Sequence, residues 1–234
     1  MKKILIFNAH PDDTEISGGG TVIKFAQEGH RIIIVIMTNG EKGSPNKNND
    51  VKKLIAARKK EARQAGKFMG AEKVINLNYP DGELEDNKKV RARVVKLIRI
   101  YRPDIVIAPD PTSIFFDNYI NHLDHRSTGW IVVNSLIPAG NWNFYKDQIT
   151  RKIKPYNVPE VYFAVSREPN WAVDISQTFK KKIEALSFHK SQIGHPSSNS
   201  LKFFNKMLNK WGRESGKKHK MKYAEEFRRV VLNG

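Results

Sequence analysis

His10, Asp12 and Asp13 fall within four residues, directly after the apolar run Ile4-Leu5-Ile6-Phe7 and just before Glu15 and Gly18-Gly19-Gly20. An imidazole and two carboxylates sit where a buried strand should end and a helix begin, a place where unpaired charge costs several kcal/mol. A divalent metal ion resolves that conflict, and His with Asp is a common ligand set for zinc. A second concentration, Asn121-His122-Leu123-Asp124-His125-Arg126, sets two histidines three residues apart; at a helix start such positions share a face. Taken together, His10, Asp13 and His125 make two imidazoles and one carboxylate, leaving a fourth position for water as catalytic zinc sites do. Such an ion lowers the pKa of bound water towards about 7 and polarises a carbonyl oxygen. Amide hydrolysis then needs a base, for which Asp12 is the candidate. It also needs a donor to the oxyanion or the leaving amine, a role open to protonated His122. Asp124 is placed to accept the other N–H of a histidine and fix its tautomer. Taken singly, His10-Pro11-Asp12 also reads as a strand-ending turn, and His122 and His125 as surface or helix-capping residues. The joint occurrence of both clusters after buried strands favours a site.

The elements that must position these residues alternate strand and helix, the pattern of a parallel sheet covered on both faces. Strands are expected at 4–8, 30–38, 74–78 and 104–108, with helices at 19–28, from Asp50 to Gly70, at 87–101 and at 122–135. Two further strands, 161–165 and 171–175, and two C-terminal helices, 177–190 and 220–231, complete the reading. Ligands in open α/β sheets bind at the carboxyl ends of strands. Four polar clusters fall there: 10–15, Thr38 to Glu41, Asp81 and Asp110. The polar loop 39–49 is too long for a simple connection and is read as lying beside the site. Gly18-Gly19-Gly20 lacks both the G-x-G-x-x-G spacing and a P-loop Lys-Ser/Thr, so it reads as a tight turn with close helix–sheet approach. The expectation is a single α/β domain spanning 1–234, a Rossmann-like, mostly parallel sheet between helices. Its metal-binding core covers about residues 1–135, and C-terminal strands and helices cover about 155–234.

Composition sets the outer bounds. The 234 residues are 39% apolar and 28% charged, enough for a sizeable core. No run approaches the roughly 18 apolar residues of a membrane span, and the N-terminal apolar stretch ends after four residues, as a strand rather than a signal peptide. With no cysteine, any metal site must use His, Asp and Glu; a cytoplasmic location fits. The net charge of +17 includes ten Lys/Arg between Lys202 and Arg229 against Glu214, Glu225 and Glu226. Because the basic residues are spread along the chain, they are read as a solvated lysine-rich surface, and nucleic acid is not expected as a partner.

Ala9-His10-Pro11-Asp12-Asp13-x-Glu15, with His122-x-Asp124-His125-Arg126 downstream, resembles the PIG-L/LmbE-like family of zinc-dependent N-deacetylases. Ser17 to Thr21, Thr38-Asn39-Gly40, Arg58 to Gly70, Pro80-Asp81-Gly82, Arg102-Pro103-Asp104, Lys182 to Gln192 and Tyr223-Ala224-Glu225-x-Phe227 stand in family-like order. The resemblance thus covers nearly the whole chain. It implies a Rossmann-like sheet and removal of the acetyl group from an N-acetylglucosamine conjugate, releasing acetate and a free amine. It makes His10, Asp13 and His125 the ligands of Zn2+, with Fe2+ as the other ion considered. Asp12 becomes the general base, His122 the residue that stabilises charge or protonates the amine, and Arg58 and Asp81 sugar contacts. His189 lines the site or packs a helix end. The aromatic segment 111–120 stacks on a sugar, packs beneath a lid or joins copies, and a homo-oligomer is expected. The competing reading is a Rossmann-like nucleotide or nucleic-acid binding protein without hydrolase activity.

Overall fold

Ile4–Phe7 and Ile32–Met37, both almost without solvent exposure, lie side by side in the middle of a seven-stranded sheet. The computed structural model describes residues 1–44, 48–116, 118–194 and 198–232; residues 45–47 of the polar loop and 117 of the aromatic segment lie outside them. Along the chain come β1 (Lys3–Asn8), α1 (Asp13–Gln27), β2 (Arg31–Thr38), α2 (Val51–Phe68), β3 (Lys73–Tyr79), α3 (Lys88–Tyr101) and β4 (Ile105–Pro109). A hairpin of β5 (Phe115–Phe116) and β6 (Tyr119–Ile120) leads into α4 (Leu123–Gly140). Then follow β7 (Glu160–Ala164), β8 (Trp171–Asp174), α5 (Phe179–Leu186), α6 (Lys190–Ile193), α7 (Asn199–Lys218) and β9 (Ala224–Val231).

The strand order is β3-β2-β1-β4-β7-β9-β8. The first five run parallel, and β9 is antiparallel to both β7 and β8. This is the expected Rossmann-like sheet. Alternation along each strand divides its core: Ile4, Ile6, Ile32 and Ile34 pack with residues of α1, α2 and α5, while Leu5, Phe7, Ile33 and Val35 pack with residues of α3 and α4. The direction of winding reverses between β1 and β4, which opens a crevice at their carboxyl ends.

One C-terminal expectation is corrected. Residues 220–231, read as a helix, form β9 from Ala224, because β7 and β8 each need a strand between them and Phe227 fills the core at 0% exposure. The long helix α7 was not anticipated; Ser198 caps it by accepting from Leu201 N–H at 3.1 Å.

β9 also braces α1. The helix has a non-helical residue at Gly18, and the restarted turn presents its amides to Glu225, which accepts from Gly20 N at 3.0 Å and Thr21 N at 2.7 Å. Buried Lys182 neutralises that carboxylate at 2.5 Å and donates to Ile16 O. Gly20 permits this approach, since a Cβ there would lie 2.8 Å from Ile175. The glycines therefore serve packing, and the phosphate-loop reading gains no support. Glu225→Ala leaves two amides unpaired and a buried ammonium without its counter-charge, held only by Ile16 O. It is expected to lower stability by about 3–5 kcal/mol, read as a lower urea midpoint at unchanged slope. A loss below about 1 kcal/mol would show the brace to be incidental.

Candidate active site

The crevice gathers residues from two strand ends and one helix start. His10, Asp12 and Asp13 lie between β1 and the first turn of α1, Asp81 follows β3, and His122, Asp124 and His125 begin α4. His10 Nδ1 is 3.2 Å from His125 Nε2, and His125 Nε2 is 3.1 Å from Asp13 Oδ1. One ligand atom from each of these three side chains lies within 4.8 Å of the other two.

The remaining atoms of these groups are already engaged, and this fixes which face the centre. Asp13 Oδ2 accepts the backbone N–H of His10 at 2.8 Å, leaving Oδ1 inward. His10 Nε2 faces Asp81 Oδ1 at 3.1 Å and Asp124 Oδ2 at 3.2 Å, so the tautomer that donates there leaves Nδ1 free. Asp124 is itself fully buried and held by the amides of Gly82 and Leu84 at 2.6 and 3.1 Å. His125 Nδ1 meets Asn121 Oδ1 at 3.0 Å, which assigns its proton to that side and a lone pair to Nε2. Asn121 Nδ2 donates to Ser113 O at 2.8 Å and so orients the amide. Asn121, four residues before His125 and ahead of α4, has no role expected from sequence, and only its hydrogen bond to that ring reveals one. Asn121→Ala is expected to weaken metal binding about 10–100-fold with the fold intact, as measured by competition against a chromogenic chelator. Unchanged affinity would remove it from the support of His125.

Charge reinforces the geometry. Burial disfavours a charged His10, but hydrogen bonds to Asp124, Asp13 and Asp81 overcome it and push its pKa up to about 12. Burial likewise opposes ionisation of Asp13, yet the charges on His125 and His10 hold it well below the usual carboxylate range. Asp81 is drawn down to about 2, against its burial, by the hydrogen bond and charge of His10. Three carboxylates thus converge on one imidazole, a donor set with room for more positive charge than a proton supplies. It fits a divalent cation with nitrogen and oxygen ligands.

Asp12 stands at the edge of this group. Its Oδ1 pairs with Arg58 Nη2 at 3.2 Å, and Arg58 Nη1 donates to Gly40 O at 2.8 Å. Gly40 has φ +66°, and a Cβ there would collide with the Arg58 guanidinium. Arg58, expected at the sugar, is 3% exposed and turned to Asp12; Asp81, also expected there, is turned to His10 and to the Lys42 amide at 3.2 Å. His122 Nδ1 accepts the Asp124 N–H at 3.2 Å as the cap of α4, which puts its proton on Nε2. Burial, then the charge on His10, lowers the pKa of His122. Not every polar cluster joins the centre. Asp110 caps its own loop through Thr112 and Ser166. Glu15 lies buried 3.3 Å from His189, whose ring nitrogens make no aligned hydrogen bond. An open depression of about 750 Å³, lined by Gly82, Glu83, Leu84, Leu123 and Ser127 among others, follows directly on Asp81 and His122 along the chain.

The sequence profile of PIG-L, GlcNAc-PI de-N-acetylase, matches residues 5–136, which span β1 to most of α4 and so every residue of the centre. The chain belongs to the PIG-L family. It is 32% identical over 193 residues to the diacetylchitobiose deacetylase of Thermococcus kodakarensis, covering 82% of this chain and 71% of that relative. It is 26% identical over 206 residues to a probable N-acetyl-alpha-D-glucosaminyl L-malate deacetylase 2 of Bacillus anthracis, covering 82% of each. The structure of N,N'-diacetylchitobiose deacetylase from Pyrococcus horikoshii superposes with a TM-score of 0.90 at 32% identity, over 98% of this chain and 84% of that one. Beyond the PIG-L profile, β7, β9 and β8 extend the same sheet. Among the described residues no helix is long and apolar enough to cross a membrane.

Proposed function

We propose that this chain hydrolyses the acetamide of an N-acetylglucosamine conjugate, releasing acetate and a free amine. The observation that carries this reading is the convergence of His10 Nδ1, His125 Nε2 and the Asp13 carboxylate on one point, with Asp12 beside it. Deacetylase relatives across most of the chain support it, whereas nothing favours a nucleotide-binding protein without hydrolase activity.

His10, Asp13 and His125 would hold the ion. Zinc is our choice because two imidazoles and a carboxylate with an open position are its catalytic set; iron(II) is the alternative that metal analysis would reveal. When bound, the ion polarises the acetamide carbonyl and acidifies water. Asp12, held by Arg58 through Oδ1, takes a proton from the water that adds to the acetamide carbon. His122, neutral and protonated at Nε2, donates a hydrogen bond to the oxygen as it gains charge. This refines the protonated His122 expected from sequence, since burial and nearby positive charge both disfavour the imidazolium. The proton on Asp12 then passes to the departing nitrogen. Arg58 is read as orienting the base, and Asp81 and Asp124 as orienting His10.

The depression lined by Gly82–Leu84 and Leu123 has room for the rest of the conjugate. We place the enzyme in the cytoplasm as a homo-oligomer, with the exposed Phe115, Tyr119 and Ile120 of the β5–β6 hairpin as the contact or sugar-stacking surface. The test is acetate release from N,N'-diacetylchitobiose, N-acetylglucosaminyl malate and N-acetylglucosaminyl inositol, with and without chelator. Release from at least one conjugate, abolished by chelation and restored by zinc, is expected. No release from any loaded protein would overturn the reading.

A further inference from the structure

α7 carries six of the chain's 41 Lys/Arg against a single carboxylate, Glu214. α7 turns Leu201, Leu208, Gly212 and Gly216 inward, which leaves Lys202, Lys206, Lys210, Arg213 and Lys217 on its outer face. Beside that basic arc runs an apolar edge: Phe203 is 63% exposed, Trp211 is 47% exposed, and half-buried Met207 lies between them. Phe203, Met207 and Trp211 are spaced by four residues, and Lys202, Lys206 and Lys210 keep the same spacing one position earlier. On a helix these are two parallel rows. Lys210 meets Glu214 at 3.9 Å, but among the described residues no carboxylate pairs with Lys202, Lys206 or Lys217. At 20 residues the helix presents a straight surface about 30 Å long.

We propose that this face of α7 docks the protein on an anionic lipid bilayer. Basic side chains next to exposed Phe and Trp on one helix face are the pattern of an interfacial helix. Its rings enter the headgroup–acyl boundary while its lysines meet lipid phosphates. Charge complementarity alone would also suit a nucleic acid. Stacking on bases, however, uses aromatics within a groove that tracks the strand, and these rings stand on the convex side of a helix. The docking itself does not depend on the catalytic reading.

The full chain should co-sediment with phosphatidylcholine vesicles containing phosphatidylglycerol and not with phosphatidylcholine alone, and should release as salt rises. Replacing Lys202, Lys206 and Lys210 together by Gln should weaken vesicle affinity about a hundredfold. Gln at the exposed Lys52, Lys88 and Lys96 removes the same charge elsewhere and should weaken it less than about threefold. Phe203→Ser with Trp211→Ser, charge unchanged, should weaken binding at least about tenfold; circular dichroism on each variant confirms the fold. Equal losses from the two lysine triples, or no loss from the aromatic pair, would reduce the effect to diffuse charge and overturn the proposal. So would absent sedimentation, whether an oligonucleotide binds through the same lysines or the aromatic pair instead governs self-association seen as a mass increase with concentration.

Discussion

Asp12→Asn is expected to lower acetate release about a thousandfold while metal content stays at the wild-type level. The substitution keeps the size of the side chain and lets Oδ1 continue to accept from Arg58 Nη2. What disappears is an oxygen able to take and later return a proton. Because Asp12 lies outside the group His10, Asp13 and His125, the metal should remain at full occupancy, and KM should change little. Some stability should be lost. Arg58 is buried, and its partner becomes neutral, although Gly40 O still accepts from Nη1. A decrease of about 1–3 kcal/mol is the scale for a weakened buried contact, and it should appear as a lower urea midpoint without loss of the native spectrum. Turnover, metal analysis and unfolding measured on one preparation separate the possibilities. Retention of more than a tenth of the activity would remove Asp12 as the base. Loss of metal in step with activity would make it a ligand.

The parts of this architecture that could be read beforehand are those whose signal is local. β1, β2 and β4 are buried on both faces, so each appears as a run of Ile, Val and Leu that no other element explains. The clusters at 10–13 and 122–125 are visible because three carboxylates and three imidazoles packed into two four-residue stretches have few structural uses. β9 reads as a helix from sequence because its polar residues are satisfied from far away. Glu225 is held by the α1 amides and Lys182, Glu226 by Ser215, Lys218 and His219, and Arg229 by Glu160. In isolation Tyr223-Ala224-Glu225-Glu226-Phe227 fits a helix equally well, and tertiary pairing decides it. The same limit applies within the centre. Arg58 and Asp12 are 46 positions apart, and nothing in either local sequence shows that they meet. Asn121 acquires meaning only once the hydrogen bond to His125 is seen.

His125→Ala tests the choice between two ligand sets that the crevice offers. His10, Asp13 and His125 form one group of converging atoms, and His10, Asp81 and His122 form another. Prior engagement of their atoms separates them. In the first set the His10 and His125 nitrogens not needed by a metal are taken by Asp81, Asp124 and Asn121, and one oxygen of Asp13 by a backbone amide. In the second, Asp81 Oδ1 already faces His10 and its Oδ2 the Lys42 amide, while His122 Nδ1 caps α4. Binding there would break the interactions that hold its own ligands. His125→Ala should therefore leave less than about a tenth of wild-type metal at equal free zinc and lower turnover at least about a thousandfold. His122→Ala should keep stoichiometric metal and lose about 100–1,000-fold in turnover through the missing oxyanion donor. Metal retained in the first variant and lost in the second would transfer the ion to the Asp81 side. Asp13 would then be left as the residue whose buried charge balances His10 and His125.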